Sequence, residues 1–216
     1  MTGIMLKDLW EAFCLKKNAI AWIFSLVVYA FTLILMPSKY IYILWVAVML
    51  PMTGSSVLQY SIEQDEISKF DKIMLTYPIT KREVILSKYL SGMILQVMVF
   101  LVNFITALIC SFGYKVIDFP AAMKVWFLGV IFSFFYMAIN YMMFLWLGNK
   151  KGTILYFIFT GVIAFVYVLG YFGIDMNALY HINKTLAMVL GFIISVLSLI
   201  GSYYACVKIY TKKHIK

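Results

Sequence analysis

Long apolar runs alternate with short polar segments along the whole chain. Six of these runs contain no Asp, Glu, Lys, Arg or His, and each is close to the roughly 20 helical residues that cross a bilayer core. They predict six membrane-spanning helices, at Ala19–Met36, Ile41–Tyr60, Tyr89–Phe112, Val125–Leu147, Thr153–Phe172 and Thr185–Val207. The predicted fold class is therefore all-α integral membrane, with residues 1–216 forming a single transmembrane domain.

The stretch before the first span has a different pattern. Leu6, Leu9, Trp10 and Phe13 recur at spacings of three and four residues, with charged residues elsewhere on the helical wheel. This spacing predicts an amphipathic helix within residues 1–18 that lies in the membrane interface. Two roles remain open for it: a plain membrane anchor, or an element that docks a partner.

The largest polar segment, residues 61–88, separates the second and third spans. It holds five of the nine acidic residues, namely Glu63, Asp65, Glu66, Asp71 and Glu83. Ile67, Phe70 and Met74 recur at helical spacing, which predicts a short amphipathic helix with an apolar stripe. Its balanced charge favours a protein partner, because segments that bind lipid headgroups are usually net basic. The alternative is a solvated loop on the headgroups.

A second helix is predicted directly after this one. Pro78 ends the first helix, and Thr80 with Glu83 has the spacing of a capping box. The new helix should therefore begin at Lys81 and continue into the third span. We expect a rigid helix-turn-helix hairpin whose tip transmits movement to the membrane.

Composition and charge confirm the membrane assignment and orient the chain. The residues are 64% hydrophobic and 12% charged, far too apolar for a soluble globule. The net charge of +9 does not indicate nucleic acid, because the cations flank the spans. Fourteen Lys and Arg residues lie on the side that carries both termini and four on the other. Since basic loops stay inside, both termini are predicted to be cytoplasmic.

The chain offers no chemistry of its own. The predicted spans contain no ionisable group of the kind that proton- or ion-coupled carriers use. The sequence also has no nucleotide-binding loop, no catalytic triad pattern and no metal-ligand spacing, so no cofactor, catalytic or metal site is predicted. Three uncharged polar residues inside spans, Gln96, Asn103 and Asn140, are candidates for lining a path. The alternative, which these residue types favour, is interhelical hydrogen bonding.

Around residues 63–92 the sequence resembles the permease subunits of ABC-2 type ABC transporters. The resemblance rests on an acidic amphipathic loop, the turn Tyr77-Pro78-Ile79-Thr80-Lys81-Arg82-Glu83, and Lys88. It implies that the segment between spans two and three is a coupling helix that docks on an ATPase. By similarity, the docking residues are Glu63, Asp65, Glu66, Ile67, Phe70, Asp71 and Met74.

The resemblance also implies partners, location and cargo. Two ABC ATPase subunits would bind ATP and Mg, and a second permease copy or a close relative would complete the transporter. Small permeases of this kind are similar to Firmicute exporters of amphipathic peptides, the phenol-soluble modulin type, in the bacterial plasma membrane. One departure is the short segment Gly173–Lys184, where many ABC-2 proteins have a longer re-entrant hairpin. The alternative function is a membrane immunity or interaction protein that does not pump.

Overall fold

The structure is a computed structural model that describes residues 2–74, 76–171 and 184–213. This part of the chain is helical and contains no strand. In chain order the α-helices are α1 (Thr2–Phe13), α2 (Lys16–Leu35), α3 (Lys39–Ile43), α4 (Leu50–Gly54), α5 (Ser56–Ser68), α6 (Phe70–Met74), α7 (Lys81–Leu108), α8 (Phe119–Tyr171) and α9 (Lys184–Lys213). Two π-helical segments, Leu44–Met49 and Ile109–Gly113, extend α3 and α7.

Within the described residues, five helices are long and apolar enough to cross a membrane. They are Lys16–Leu35, Lys39–Ser68, Lys81–Gly113, Phe119–Tyr167 and Thr185–Lys212. The predicted spans coincide with these helices to within a few residues wherever the structure describes them, so the all-helical membrane fold is confirmed. The second helix extends beyond its predicted end at Tyr60 to Ser68. The third begins at Lys81, as the capping box predicted.

The predicted fourth and fifth spans both lie in α8, which reverses direction at Gly148. Gly148 has φ 76° and ψ −179°, a conformation that is essentially restricted to glycine. Beyond it the chain packs back on itself. The Tyr136 hydroxyl lies 2.8 Å from the Thr160 hydroxyl, and the rings of Phe144 and Tyr156 are 6.2 Å apart. The range α8 therefore consists of two apolar helical segments that form a hairpin around Gly148.

The second membrane helix is irregular at its centre. Its π-helical segment, Leu44–Met49, is followed by Pro51 and by Ser55, where ψ is −6°. Proline has no N–H, so it leaves a carbonyl one turn earlier without its helical donor. The centre of this helix is thus a run of non-standard turns that other helices must support.

Most of the membrane-facing surface is apolar. Helix α2 buries only Asn18, and its large side chains point outward, with Phe24 69% and Phe31 62% exposed. This helix lies at the edge of the bundle, where such a surface is stable only against lipid or another apolar partner.

The segment between α5 and α7 differs from the expectation of one short helix. The spacing of Ile67, Phe70 and Met74 predicted a continuous stripe, but the chain leaves α5 at Lys69, which is left-handed at φ 55°, ψ 28°. Ile67 is 68% exposed whereas Met74 is 2% exposed, so the continuous stripe is wrong. The break turns Phe70 and Met74 back toward the protein, where Met74 is buried and Phe70 is partly buried. The short segment Gly173–Lys184, predicted to replace a longer re-entrant hairpin, lies mostly outside the described residues.

Candidate functional site

The site is built at the start of α7, where the predicted capping box is present. The Glu83 N–H donates to the Thr80 hydroxyl at 3.3 Å, and the Thr80 N–H donates to the Glu83 carboxylate at 2.8 Å. These bonds satisfy two amides that the helix cannot pair internally. They fix where α7 begins and therefore the direction in which the side chain of Lys88, two turns later, points into the protein.

Lys88 is a buried cation. Its side chain is 3% exposed, and its ammonium group donates to Asp65 Oδ2 at 2.7 Å and to Ser61 Oγ at 2.5 Å. Ser61 in turn donates to Asp8 Oδ1 at 2.7 Å. Because an unpaired charge inside a protein costs several kcal/mol, Lys88 is stable there only with these partners. It connects α7 to α5 and, through Ser61, to α1.

Lys7 reaches the same carboxylate from the other side. It donates to Asp65 Oδ1 at 2.5 Å and to Glu11 Oε2 at 3.0 Å, and it lies 4.3 Å above the ring of Phe70. One carboxylate thus binds two ammonium groups through its two oxygens. We call Lys7, Asp8, Glu11, Ser61, Asp65 and Lys88 the ion-pair cluster.

The ion-pair cluster contains two cations and three carboxylates, so one negative charge is not balanced within it. Burial raises the pKa of Glu11, and its bond with Lys7 offsets only part of that effect. Asp8 is fully buried, and its second oxygen has no hydrogen-bond partner in the described part of the chain. The cluster therefore depends on every cation that it contains.

Helix α1 turns much of its polar face toward the protein, where Ile4 and Ala12 are also buried, and points its largest apolar side chains outward. Asp8 and Glu11 are buried, whereas Leu6 is 62% and Trp10 58% exposed. The sequence predicted an amphipathic helix but not this direction. In a membrane interface the exposed apolar side contacts lipid. The buried Asn18 amide, which donates to the Glu11 carbonyl at 2.7 Å, closes the turn from α1 to α2.

The acidic residues predicted to dock a partner are all engaged within the chain where their side chains are described. Glu63 pairs with Lys17 at 2.5 Å, and Asp65 is held in the ion-pair cluster. Glu66 Oε1 accepts the Asn149 N–H at 2.8 Å, directly after the reversal of α8. These acids connect α5 to its neighbours inside the molecule.

The apolar residues predicted to dock divide into buried and exposed groups. Met74 is buried in the core, and Phe70 packs partly buried beside it, under Lys7. The side chain of Asp71 lies outside the described residues. Ile67 is exposed, and so are Ile73 at 47% and Tyr77 at 50%, which the predicted docking set did not include. We call Ile67, Ile73 and Tyr77 the exposed corner.

Comparison with known families agrees with this architecture. The family model described as ABC-2 family transporter protein matches residues 3–211. The chain belongs to the ABC-2 transporter family. Membership implies that this ABC-2 protein is the membrane component of an ABC transporter, and such permeases normally pair with ABC ATPase subunits. No curated protein and no solved structure matches the chain significantly. The phenol-soluble modulin exporter type stays a prediction.

The three candidate path residues of this ABC-2 protein are buried between its own helices. Gln96, Asn103 and Asn140 are each at most 1% exposed. All three face the irregular stretch of the second membrane helix. Asn140 donates to Ser55 Oγ at 3.1 Å, and a Cβ on Gly54 would overlap the Gln96 amide. Their role in lining a path stays a prediction.

Asn103 compensates for a proline. Leu50 N–H bonds to the Trp45 carbonyl in the π register, so the next donor in that register would be residue 51, a proline without an N–H. The Val46 carbonyl is thereby left without that donor, and Asn103 Nδ2 approaches it at 3.4 Å. Gly129 leaves room for the carbonyl, since any Cβ there would overlap it.

The sequence patterns indicate the segment of the site but not its buried ion pairs. Lys88 is recognisable only as a flanking charge and a motif residue, and no pattern singles out Lys7, Asp8 or Ser61. A signal was present, because Lys88 stands among the apolar and small residues Ile85, Leu86, Leu90 and Gly92. Within the described residues, no group of His, Cys, Asp and Glu could hold a metal ion. His181 and His214 lie outside them.

Proposed function

We propose that this chain is the permease subunit of an ATP-driven exporter that moves hydrophobic or amphipathic peptides across a bacterial plasma membrane. With the six spans that the apolar runs predict and the cytoplasmic termini that the Lys and Arg distribution predicts, α1, the exposed corner and the ion-pair cluster would lie at the cytoplasmic end. The observation that carries the proposal is the ion-pair cluster, since it fastens the exposed corner to the start of a membrane helix.

The exposed corner is the part of the coupling segment available to a partner. Ile67 is 68% exposed on a segment that is otherwise strongly polar, and apolar side chains in that position favour a protein groove over water. We propose that an ATPase subunit covers Ile67, Ile73 and Tyr77. Two such subunits would bind ATP and Mg, and a second permease copy or paralogue would complete the assembly.

Two rigid connections would carry movement from this corner into the membrane. Asp65 and Lys88 join α5 to α7 through buried charge-assisted hydrogen bonds, which are the strongest polar contacts that proteins make. Glu66 joins the end of α5 to Asn149, where the second half of α8 begins. A displacement of α5 would therefore move α7 and α8 together.

A small cavity is compatible with one side chain of an amphiphilic cargo, since a whole ligand needs roughly 300 Å³ or more. It has a volume of about 140 Å³ and lies between α2, the second membrane helix and the returning half of α8. Its walls combine the rings of Trp22 and Tyr156 with the hydroxyls of Thr53 and Ser56. Aromatic surface with a few hydroxyls suits a ligand that has both apolar and polar sides.

Reconstitution tests the proposal. The chain is placed in liposomes with its ATPase, and ATP-dependent accumulation of a fluorescent amphipathic helical peptide is measured. The control is the same complex with the ATPase Walker B acid removed. Accumulation that requires hydrolysis supports the exporter. Equal peptide retention with active and inactive ATPase would instead identify a non-pumping immunity or interaction protein.

A further inference from the structure

A basic cavity lies outside the coupling site, between the first turn of α7 and the last turns of α9. Its volume is about 620 Å³. Three cationic side chains line it, Arg82 from α7 and Lys208 and Lys212 from α9, together with the aromatic rings of Tyr203 and Tyr204. The function proposed above uses none of these residues.

The two walls of the cavity are held at a fixed separation. Tyr89 on α7 places its hydroxyl 2.7 Å from Ser202 Oγ on α9, and its ring lies 5.6 Å from the ring of Tyr203. Tyr89 is two turns from Arg82 on the same face of α7. The cavity is therefore a preformed cleft between two packed helices.

The described lining of the cavity carries positive charge that it does not neutralise. Among the described residues, no acidic side chain lines the cavity and no ion pair involves Arg82, Lys208 or Lys212. The nearest acid in sequence, Glu83, is occupied in the cap with Thr80. Arg82 also stands in the first turn of α7, where the helix dipole adds partial positive charge. An anion bound here would meet three cations and a helix terminus.

Along α9 the lining changes from aromatic to cationic. Tyr204 is 68% exposed, and Lys208 and Lys212 follow it at four-residue intervals on the same face. This order, with rings at the edge of the apolar zone and long cations beyond it, matches the profile of a membrane interface. A ligand in the cavity would place its charged end beside the lysines and its apolar part along the tyrosines and Val207.

We propose that this cavity binds the phosphate headgroup of an anionic phospholipid from the leaflet at which α9 ends. Arg82 holds the phosphate oxygens with its planar guanidinium, and Lys208 and Lys212 add charge from the opposite wall. The acyl chains lie against Tyr204 and Val207. Basic clefts between membrane helices are a general mode of headgroup recognition. The proposal does not depend on transport activity.

Native mass spectrometry of the full-length chain in detergent tests this site. The protein is titrated with phosphatidylglycerol or with phosphatidylcholine of the same acyl composition, and the retained lipid is counted. The test variant is Arg82→Gln/Lys208→Gln/Lys212→Gln. The control, Lys16→Gln/Lys150→Gln/Lys151→Gln, removes the same charge from three exposed lysines at the same end of the bundle. Circular dichroism and the melting temperature verify that both variants fold.

We expect the unmodified chain to retain phosphatidylglycerol over phosphatidylcholine. The test variant should lose at least tenfold in phosphatidylglycerol affinity, while the control variant loses less than threefold. Equal loss in both variants would overturn the proposal, because the preference for phosphatidylglycerol would then follow from the total positive charge of the protein and not from this cavity. Displacement of the lipid by millimolar glycerol phosphate would also overturn it, since the site would then be one for soluble phosphates.

Discussion

Lys88 Nζ lies 2.7 Å from Asp65 Oδ2, and neither side chain is more than 3% exposed. The pair connects the two ends of the polar segment that separates the second and third spans. Asp65 is also bound by Lys7, so a single carboxylate joins α1, α5 and α7. The coupling segment is thus a rigid corner of the bundle, fixed from inside by charge.

Removal of the buried cation should destabilise this corner strongly. Lys88→Met leaves Asp65 with one cation and takes a donor from Ser61, which should cost about 3–5 kcal/mol. Chemical denaturation in mixed micelles, followed by circular dichroism, measures the loss. The matched control is Lys17→Gln/Glu63→Gln, an exposed pair whose loss should cost less than about 1 kcal/mol. Similar losses for the two pairs would show that the cluster is not a structural lock.

The proline in the second membrane helix should be energetically coupled to Asn103. Asn103→Leu removes the donor at 3.4 Å from the Val46 carbonyl, at an expected cost of about 1–2 kcal/mol. Pro51→Ala supplies a backbone N–H that could take its place, so the double variant should lose less than the sum of the single losses. A double-mutant cycle on unfolding free energies measures this coupling. Strict additivity would contradict the assignment.

The reversal of α8 should require glycine at residue 148. Gly148→Ala places a Cβ on a backbone with φ 76° and ψ −179°, which should cost about 1–3 kcal/mol. The matched control is Gly161→Ala, in the returning half of the hairpin, where an added Cβ meets nothing within 4 Å. The control should change the melting temperature little. Equal shifts for both variants would argue against a strained reversal.

Glu11 should make stability depend on pH in a defined direction. Its folded pKa is raised above the ordinary 4.5, so the folded chain binds the proton more tightly than the unfolded chain. Its contribution is therefore fully present below pH 4.5 and is lost as pH rises through the folded pKa. Relative to the unmodified chain, Glu11→Gln should gain stability as the pH rises above 4.5. Melting curves that differ by a constant amount at all pH values would contradict this.

Local sequence signals predicted the fold because a bilayer imposes them. Charge-free runs of about 20 residues mark the spans, since a helix of that length crosses the hydrocarbon core and pairs its own backbone N–H and C=O groups there. The capping box at Thr80 and Glu83 was equally readable, because its bonds join residues three apart. These elements depend only on near neighbours along the chain.

Long-range contacts determined the remainder. The helical wheel of α1 separates polar from apolar residues but does not tell which side contacts the protein. In water the apolar side of such a helix faces the protein, whereas at a membrane it can face lipid. The break at Lys69 carries no glycine or proline signal; it follows from the packing of Phe70 beneath Lys7. The bond from Asn149 to Glu66 joins residues far apart in sequence. Such partners become visible only when the helices are assembled.

Exposure also determines which substitutions test docking. Met74 is buried and Phe70 partly so, and charges placed there would disrupt the core before they affected any partner. Ile67 is 68% exposed on the proposed docking side. Met36, 65% exposed directly after α2, offers a matched apolar position at the opposite end of the bundle.

The most direct test of the account is the ATP hydrolysis that co-purifies with the tagged, full-length chain from its native membrane. We expect Ile67→Asp to reduce the amount of co-purified ATPase subunit and the rate of ATP hydrolysis at least tenfold. Met36→Asp should retain both, and the two variants should have similar melting temperatures. Undiminished hydrolysis with Ile67→Asp would contradict the assignment of the exposed corner as the docking surface for the ATPase.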